Sequence, residues 1–95
     1  LDAFAGTSVI TFRRANTSVG AQSAVQSGDN LAFLSVLGYG ATGYNANISA
    51  TLFASATENW TDTAIGSKWT IQATTTGTAV RSTVAEFSPT LITLF

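Results

Sequence analysis

Few side chains in this 95-residue chain could carry out acid–base chemistry. The chain contains no His and no Cys, which removes the commonest general base, the thiolate nucleophile and most transition-metal ligands. The carboxylates that remain are Asp2, Asp29, Glu58, Asp62 and Glu86. We therefore expect no metal site, no cofactor and no hydroxyl nucleophile with a base within reach.

Glu58 and Asp62 are the only carboxylates close together in the sequence, and a carboxylate pair is what glycoside hydrolysis requires. The two groups must stand about 5–9 Å apart across a cleft. Two residues on one short polar loop seldom meet that condition, so we expect capping or solvated roles for both. Asp29 follows Gly28 in a turn cluster and is expected to cap backbone N–H groups. The sequence thus predicts a protein that is not an enzyme.

Aromatic side chains in polar loops form a second candidate site. The loops 40–47 and 58–66 are rich in Gly, Asn, Thr and Asp. Rings in such loops can stack on sugars while amide and carboxylate groups bind sugar hydroxyls. The predicted glycan-binding residues are Tyr44, Asn45, Trp60 and Asp62. Packing, inside the chain or between subunits, is the alternative for each ring, and is the simpler role for Tyr39 and Trp69, which lie in predicted strands.

The composition limits the partners that the chain can bind. Only 9% of residues are charged, against about 25% in typical soluble domains, and the net charge is −1. Without clustered Lys and Arg we expect no nucleic-acid binding, and without an apolar run near 20 residues we expect no membrane insertion. A small chain that is 45% hydrophobic would leave apolar surface in water, which predicts an oligomer. The absence of Met suggests a piece of a longer polypeptide.

Alternation of apolar and polar residues predicts an all-β fold of about six short antiparallel strands with long loops and no helix. The predicted strands are residues 8–14, 31–39, 48–57, 67–74, 78–87 and 90–95. Residues 1–7 could be a short strand or a connector, and residues 15–30 are predicted to be a long loop. The clearest hairpin spans residues 67–87. In its second strand, Ala85 and Phe87 are expected to share a face with Arg81.

The predicted strand 31–39 has apolar residues on both faces. Phe33 and Leu37 would point to one side, and Leu34 and Val36 to the other. Burying each large side chain is worth about 1.5–3 kcal/mol. A chain of this length has one core to offer, so we expect one face of this strand to pack inside the chain and the other against another subunit.

Four motifs stand in an order that resembles one group of proteins. They are Ala24-Val25-Gln26-Ser27-Gly28-Asp29-Asn30-Leu31, Gly38-Tyr39-Gly40-Ala41-Thr42-Gly43-Tyr44, Glu58-Asn59-Trp60-Thr61-Asp62-Thr63-Ala64 and Ile71-Gln72-Ala73-Thr74-Thr75-Thr76-Gly77-Thr78. The stretch from Ser8 to Val84 is similar to the distal β-structured segments of bacteriophage tail fibres and tailspikes. Those segments precede a self-cleaving C-terminal intramolecular chaperone.

The resemblance implies a homotrimer, interwoven into a fibre of the β-prism or triple β-helix kind, with residues 1–95 as a single domain. It implies an extracellular virion protein that contacts the host surface. The chain departs from its relatives at residues 81–89, where they have an Arg-rich strand and a Gly-rich repeat, and it lacks the chaperone. Two functions follow as expectations. One is a structural and adhesive fibre module, and the other is a carbohydrate-binding module that recognises bacterial surface polysaccharide.

Overall fold

The structure is a computed structural model of the chain, and it describes residue 2 and residues 5–17 and 20–95. Five strands form one antiparallel sheet in which the spatial order follows the chain order. They are β1 (Asn30–Val36), β2 (Ala50–Ala56), β3 (Ser67–Thr74), β4 (Arg81–Ser88) and β5 (Leu91–Leu94). The all-β prediction is confirmed. Over the described ranges, no helix is long and apolar enough to cross a membrane.

Five of the six predicted strands are present, and β3 has the predicted bounds. The prediction for residues 8–14 is wrong, because that segment forms no strand. Ile10 and Phe12 would share one face of that strand and Val9 would lie on the other, but in the structure all three side chains are exposed. A strand needs a neighbouring backbone to pair with, and no described strand lies beside them. Part of the connector predicted for residues 1–7 lies outside the described residues.

The register of the ladder gives the sheet two chemically different faces. Phe33 lies opposite Phe53, and Phe53 in turn lies opposite Thr70. Residues paired in this way share a face. The apolar face carries Ala32, Leu34, Val36, Ala50, Leu52, Ala54, Ala56, Trp69, Ile71, Ala73, Ala85, Phe87, Ile92 and Leu94. The polar face carries mainly Ser35, Thr51, Ser55, Lys68, Thr70, Gln72, Arg81, Thr83, Glu86 and Thr93, with Phe33, Phe53 and Leu91 as apolar exceptions.

Side chains on the polar face bond largely to one another. Lys68 Nζ lies 3.1 Å from Glu86 Oε2 across β3 and β4. Gln72 connects the same two strands, since its Nε2 donates to Thr83 Oγ1 at 3.2 Å and its Oε1 accepts from Arg81 Nε at 3.2 Å. At the β1 side, the rings of Phe33 and Phe53 stack with their centroids 4.8 Å apart. These contacts satisfy the long polar side chains within the sheet, and the smaller Thr51, Ser55 and Thr70 are buried among them.

A β-bulge at Val84 changes which residues share a face. Ile71 pairs with Ala85 but Gln72 pairs with Thr83, so Val84 is an extra residue in β4. The bulge moves Ala85 and Phe87 to the apolar face, away from Arg81. The predicted sharing of a face by these three residues is therefore wrong, because strict alternation does not survive an inserted residue.

The sheet has no second layer among the described residues, so the molecule has almost no core. The buried residues are Val25, Thr51, Ser55, Ala56, Thr70 and Ala85, and no large side chain is fully buried. The chain exposes 7243 Å², whereas a compact monomer of its 9.8 kDa would expose about 5,200 Å². Its radius of gyration is 16.7 Å against about 12 Å for a compact domain of this length.

Strand β1 lies at the edge of this single sheet, with Phe33 and Leu34 each about half exposed. The expected burial of one of its faces inside the chain is therefore not found. Phe33 has only Phe53 beside it on the polar face, and Leu34 lies on the open apolar face.

Candidate binding site at the tyrosine end

The loops gather at two opposite ends of the sheet, because successive strands are antiparallel. The tyrosine end is formed by residues 37–49 and 75–80, which connect β1 to β2 and β3 to β4. The tryptophan end is formed by residues 24–29, 57–66 and 89–90. The four predicted glycan-binding residues are therefore split into two pairs. Tyr44 and Asn45 lie at the tyrosine end, while Trp60 and Asp62 lie at the other.

A small hairpin presents two tyrosines at the tyrosine end. Tyr39 and Tyr44 form an isolated antiparallel bridge, closed by a turn in which Gly40 N–H donates to Gly43 O at 2.7 Å. The two rings meet edge to face, with centroids 5.3 Å apart and planes at 80°. Tyr39 is 66% exposed and Tyr44 is 75% exposed. Both rings thus expose aromatic surface to a ligand, while the cross-strand contact holds them in position.

A cavity of about 220 Å³ opens beside Tyr39. It is lined by Gly38, Tyr39, Gly40, Asn45, Asn47, Ile48, Ser49, Thr74, Thr78 and Ala79. Thr74 Oγ1 donates to Ser49 O at 2.7 Å, and Asn47 Nδ2 donates to Ala79 O at 3.2 Å, so bonds between the two loops shape its wall. None of the lining residues is charged, which favours an uncharged polar ligand.

Asn45 holds the base of the tyrosine hairpin and keeps one polar group for other contacts. Its backbone N–H donates to Gly38 O at 3.0 Å, and its Oδ1 accepts from Asn47 N–H at 3.1 Å. Its Nδ2 makes no hydrogen bond to any described residue. The site therefore combines an exposed aromatic pair, an amide donor and hydroxyl groups at the cavity. Such a mixture can stack on a sugar ring and bind its hydroxyls.

The tryptophan end is organised differently, because its polar groups bond to its own backbone. Trp60 is half-buried, its Nε1 donates to Gly66 O at 2.9 Å, and its backbone N–H donates to Val25 O at 2.8 Å. Glu58 Oε2 accepts from Gly66 N–H at 2.7 Å, as expected for a capping carboxylate. Asp62 is exposed. The indole and Glu58 thus connect the two sides of the loop, which leaves Asp62 as the accessible predicted residue here.

Asp29 connects the long N-terminal loop to the start of β1 through hydrogen bonds and an ion pair. Its Oδ2 accepts from Gln26 N–H at 2.9 Å and from Asn16 Nδ2 at 2.8 Å, and its Oδ1 lies 3.6 Å from Arg14 NH2. The Gln26 bond first, then Asn16 and the Arg14 charge, lower the pKa of the Asp29 carboxyl below its usual 3.8. The predicted capping role of Asp29 is confirmed.

Tyr39 and Asn47 complete the tyrosine-end site but are absent from the four predicted residues. Tyr39 was expected inside a strand, whereas β1 ends at Val36. The symmetrical sequence Gly38-Tyr39-Gly40-Ala41-Thr42-Gly43-Tyr44 carries the signal that could have found it. Two aromatics that flank a four-residue stretch bounded by glycines suit the two sides of a tight hairpin.

Comparison with protein-family models finds no match to this chain, and comparison with curated proteins finds no significant match either. No group of three or more His, Cys, Asp and Glu residues gathers anywhere in the described ranges.

Proposed function

We propose that this chain is a structural subunit of a homotrimeric β fibre, of the kind found in the distal segments of bacteriophage tail fibres and tailspikes. In that role it would belong to the virion and contribute to attachment at the host cell surface. The observation that carries the proposal is the apolar face, which no described part of the chain covers. The order of the four sequence motifs supports the phage assignment.

The free energy of the uncovered face argues for assembly. Leu34, Trp69 and Leu94 are all about half exposed or more. Complete burial of a large apolar side chain is worth about 1.5–3 kcal/mol, so covering the exposed part of each contributes the corresponding fraction of that free energy. The chain also exposes about 2,000 Å² more than a compact monomer of its mass would. Obligate interfaces remove about 2,000–5,000 Å² of surface. The apolar faces of further copies of this chain provide an apolar surface against which this face can pack.

The width of the sheet favours three copies. Five strands spaced about 4.8 Å apart make a face about 19–24 Å wide. Three such faces arranged as an equilateral prism leave about 6 Å between each sheet and the central axis. Sheets that pack face to face stand about 10 Å apart, so each supplies about 5 Å of side chains. A trimer can therefore fill its centre with Leu, Ile, Trp and Phe side chains, whereas a fourfold arrangement would leave a hole.

Two neighbouring substitutions on β1 test the assembly. Leu34 lies on the apolar face and Ser35 on the polar face, and both are exposed in the single chain. We expect the wild-type chain and Ser35→Asp to show about three times the 9.8 kDa chain mass by light scattering coupled to size exclusion. Leu34→Asp should yield unfolded or aggregated protein, because it places a charge in the trimer centre.

A folded wild-type monomer at micromolar concentration would contradict the proposal, as would a Leu34→Asp variant that remains trimeric. Flow cytometry of the labelled trimer on a panel of bacterial strains addresses attachment. Binding to particular strains supports the adhesive role, and no binding to any strain would favour a purely structural one.

A second candidate function, recognition of a bacterial surface polysaccharide, is favoured by the tyrosine end. The supporting observation is the exposed Tyr39–Tyr44 pair beside an uncharged cavity that carries amides and hydroxyls. Aromatic anchors of this kind dominate binding energy in many interfaces. Tyr44 and Asn45 keep their predicted role in this candidate, with Tyr39 and Asn47 beside them. Asp62 and Trp60 would act at the opposite end, as a separate contact.

Titration of purified surface polysaccharides against matched variants tests this candidate. Tyr44→Ala should weaken binding about tenfold or more, which corresponds to about 1.4 kcal/mol, while Tyr44→Phe keeps the ring and should bind nearly as wild type. Asp62→Ala measures the separate contact at the tryptophan end. Equal affinities for wild type and Tyr44→Ala would remove the tyrosine site, and weakened binding by Asp62→Ala would place recognition at the other end.

A further inference from the structure

Most of the length of the two sheet edges lacks the features that normally keep edge strands apart. Proteins usually protect an exposed edge with charged residues, proline or a bulge. In this sheet Lys68, Arg81, Glu86 and the Val84 bulge lie on the interior strands β3 and β4. A second bulge lies at the start of the edge strand β1, between Asn30 and Ala32, while the pairing from Ala32 to Val36 is regular. Neither β1 nor β5 contains a charged residue, and neither contains proline. Both edge strands are therefore chemically suited to pair with another strand.

The backbone of β5 shows which of its groups face outwards. Phe95 N–H donates to Val84 O at 2.9 Å, so residue 95 points its backbone groups at β4. Along an antiparallel strand these groups alternate between the two sides. Leu91 and Thr93 consequently point at β4, while Ile92 and Leu94 direct their N–H and C=O away from the sheet.

The strand count decides how copies could meet. Because the antiparallel sheet has five strands, β1 and β5 run in the same direction. Copies related by rotation about an axis along the strands would therefore bring β5 of one copy beside β1 of the next, in parallel. The same rotation keeps every apolar face turned towards the axis. Edge pairing and burial of the apolar face are compatible when each sheet curves towards its neighbour at the corners of the prism, because curvature brings the outward backbone groups of β5 into line with those of β1.

We propose that the partner of the β5 edge is the β1 edge of a second copy of this chain, which joins the sheets of the assembly into a continuous closed ladder. This inference rests on the proposed homotrimer and adds to it an interface that burial of the apolar face does not require. Ile92 and Leu94 supply the outward N–H donors. The regular segment of β1 from Ala32 to Val36 supplies the acceptors, since the Arg14 guanidinium already bonds to Asn30 O at 2.6 Å. The pairing covers both edges of every subunit and leaves no edge open to unspecific association.

Two variants at one position test the pairing. Leu94→Pro removes the outward N–H and places a ring at the edge, yet it leaves the bonds between β5 and β4 in place. Leu94→Ala removes the same side chain but keeps the N–H. We expect the concentration at the midpoint of trimer assembly to be about tenfold higher or more for Leu94→Pro than for Leu94→Ala. Equal midpoints for the two variants would overturn the edge pairing.

Hydrogen exchange on the wild-type chain gives an independent measurement. In the assembly, the amides of Ile92 and Leu94 should exchange about two orders of magnitude more slowly than unpaired amides. The amides of Leu91 and Thr93, which point at β4, should be protected to a similar degree. Fast exchange at Ile92 and Leu94 in an intact trimer would overturn the edge pairing and leave the proposed function standing. A monomeric wild-type chain would overturn both.

Discussion

Asp29 and Trp60 bond to the backbone of neighbouring loops, whereas Tyr44 presents its ring to solvent. All three sit in polar, glycine-containing stretches, so composition alone does not separate them. They differ in whether the side chain has a hydrogen-bond partner within the protein. A buried or half-buried polar group is generally satisfied inside the protein. The exposed tyrosine pair has no such structural role in the described chain and is the better candidate for binding.

Asp29 makes the stability of the N-terminal loop depend on pH. Its lowered pKa means that its favourable contacts are fully present above the ordinary value of 3.8 and are lost as the pH falls through the folded-state value. We expect Asp29→Asn to lower the melting temperature at neutral pH and to reduce the difference between its melting temperatures at pH 7 and pH 3. Thermal melts followed by circular dichroism measure both.

The control for this prediction is Asp62→Asn, which removes the same charge from an exposed loop position. It should melt like the wild type at neutral pH and keep the wild-type loss of stability in acid. If Asp29→Asn and Asp62→Asn show the same pH dependence, the contacts of Asp29 do not stabilise the fold.

The bulge in β4 can be tested by deletion. Removing Val84 joins Thr83 to Ala85, and their partners Gln72 and Ile71 are already consecutive in β3. The pairing between β3 and β4 should therefore become regular, and the residues on either side of the deletion should stay on their present faces. We expect the free energy of unfolding to change by only about 1–2 kcal/mol, mainly because the hydrogen bond from Phe95 N–H to Val84 O is lost. Denaturation at one fixed protein concentration measures it.

Deletion of Leu52 is the matched control in a regular strand. It would shift part of β2 by one residue against both neighbours, which exchanges the polar and apolar faces there. This variant should not fold. If deletion of Val84 is as damaging as deletion of Leu52, the bulge has a structural role beyond adding a residue.

The sequence predicts where the strands of this sheet lie better than it predicts how strands pair and in which register. Alternation at Trp69 and Ile71 suffices to locate β3, because turns flank it on both sides. Alternation at Ile10 and Phe12 is equally clear but produces no strand, since pairing depends on a distant partner that periodicity does not reveal. The bulge at Val84 is hidden for a related reason, as it is visible only in the register against β3.

The candidate site was partly predictable for the same physical reasons. Loop composition is enough to select Tyr44 and Asn45, because rings and amides in polar, glycine-rich loops have little else to pack against. It does not tell which loops share an end of the sheet, which depends on strand order. Trp60 could therefore be separated from Tyr44 and Asn45 only once the order of the strands was known. Tyr39 lies in the same loop as Tyr44 and is marked by the symmetrical sequence of residues 38–44, whereas Asn47 is identified by its bond to Ala79 on the neighbouring loop.

At the scale of the whole molecule, the arrangement of charge and apolar surface is the reverse of a monomeric domain. Many of its large apolar side chains are exposed, on the apolar face and in the loops, while the buried positions are occupied by Thr, Ser, Ala and Val. A small domain usually has only about 5–15 kcal/mol of net stability. Leaving several large side chains in water forfeits an amount of that order, so folding and assembly should be one process.

Coupled folding and assembly predicts a melting temperature that depends on protein concentration. When a trimer unfolds to three chains, mass action raises the melting temperature with concentration. With an unfolding enthalpy of about 0.7 kcal/mol per residue, or about 200 kcal/mol for the trimer, a tenfold increase in concentration should raise it by about 5 °C. Melts of the wild-type chain over two decades of concentration measure this slope, and Ser35→Asp should reproduce it. A melting temperature that does not change with concentration would mean that the single sheet is stable by itself, and the open apolar face would then need a different explanation.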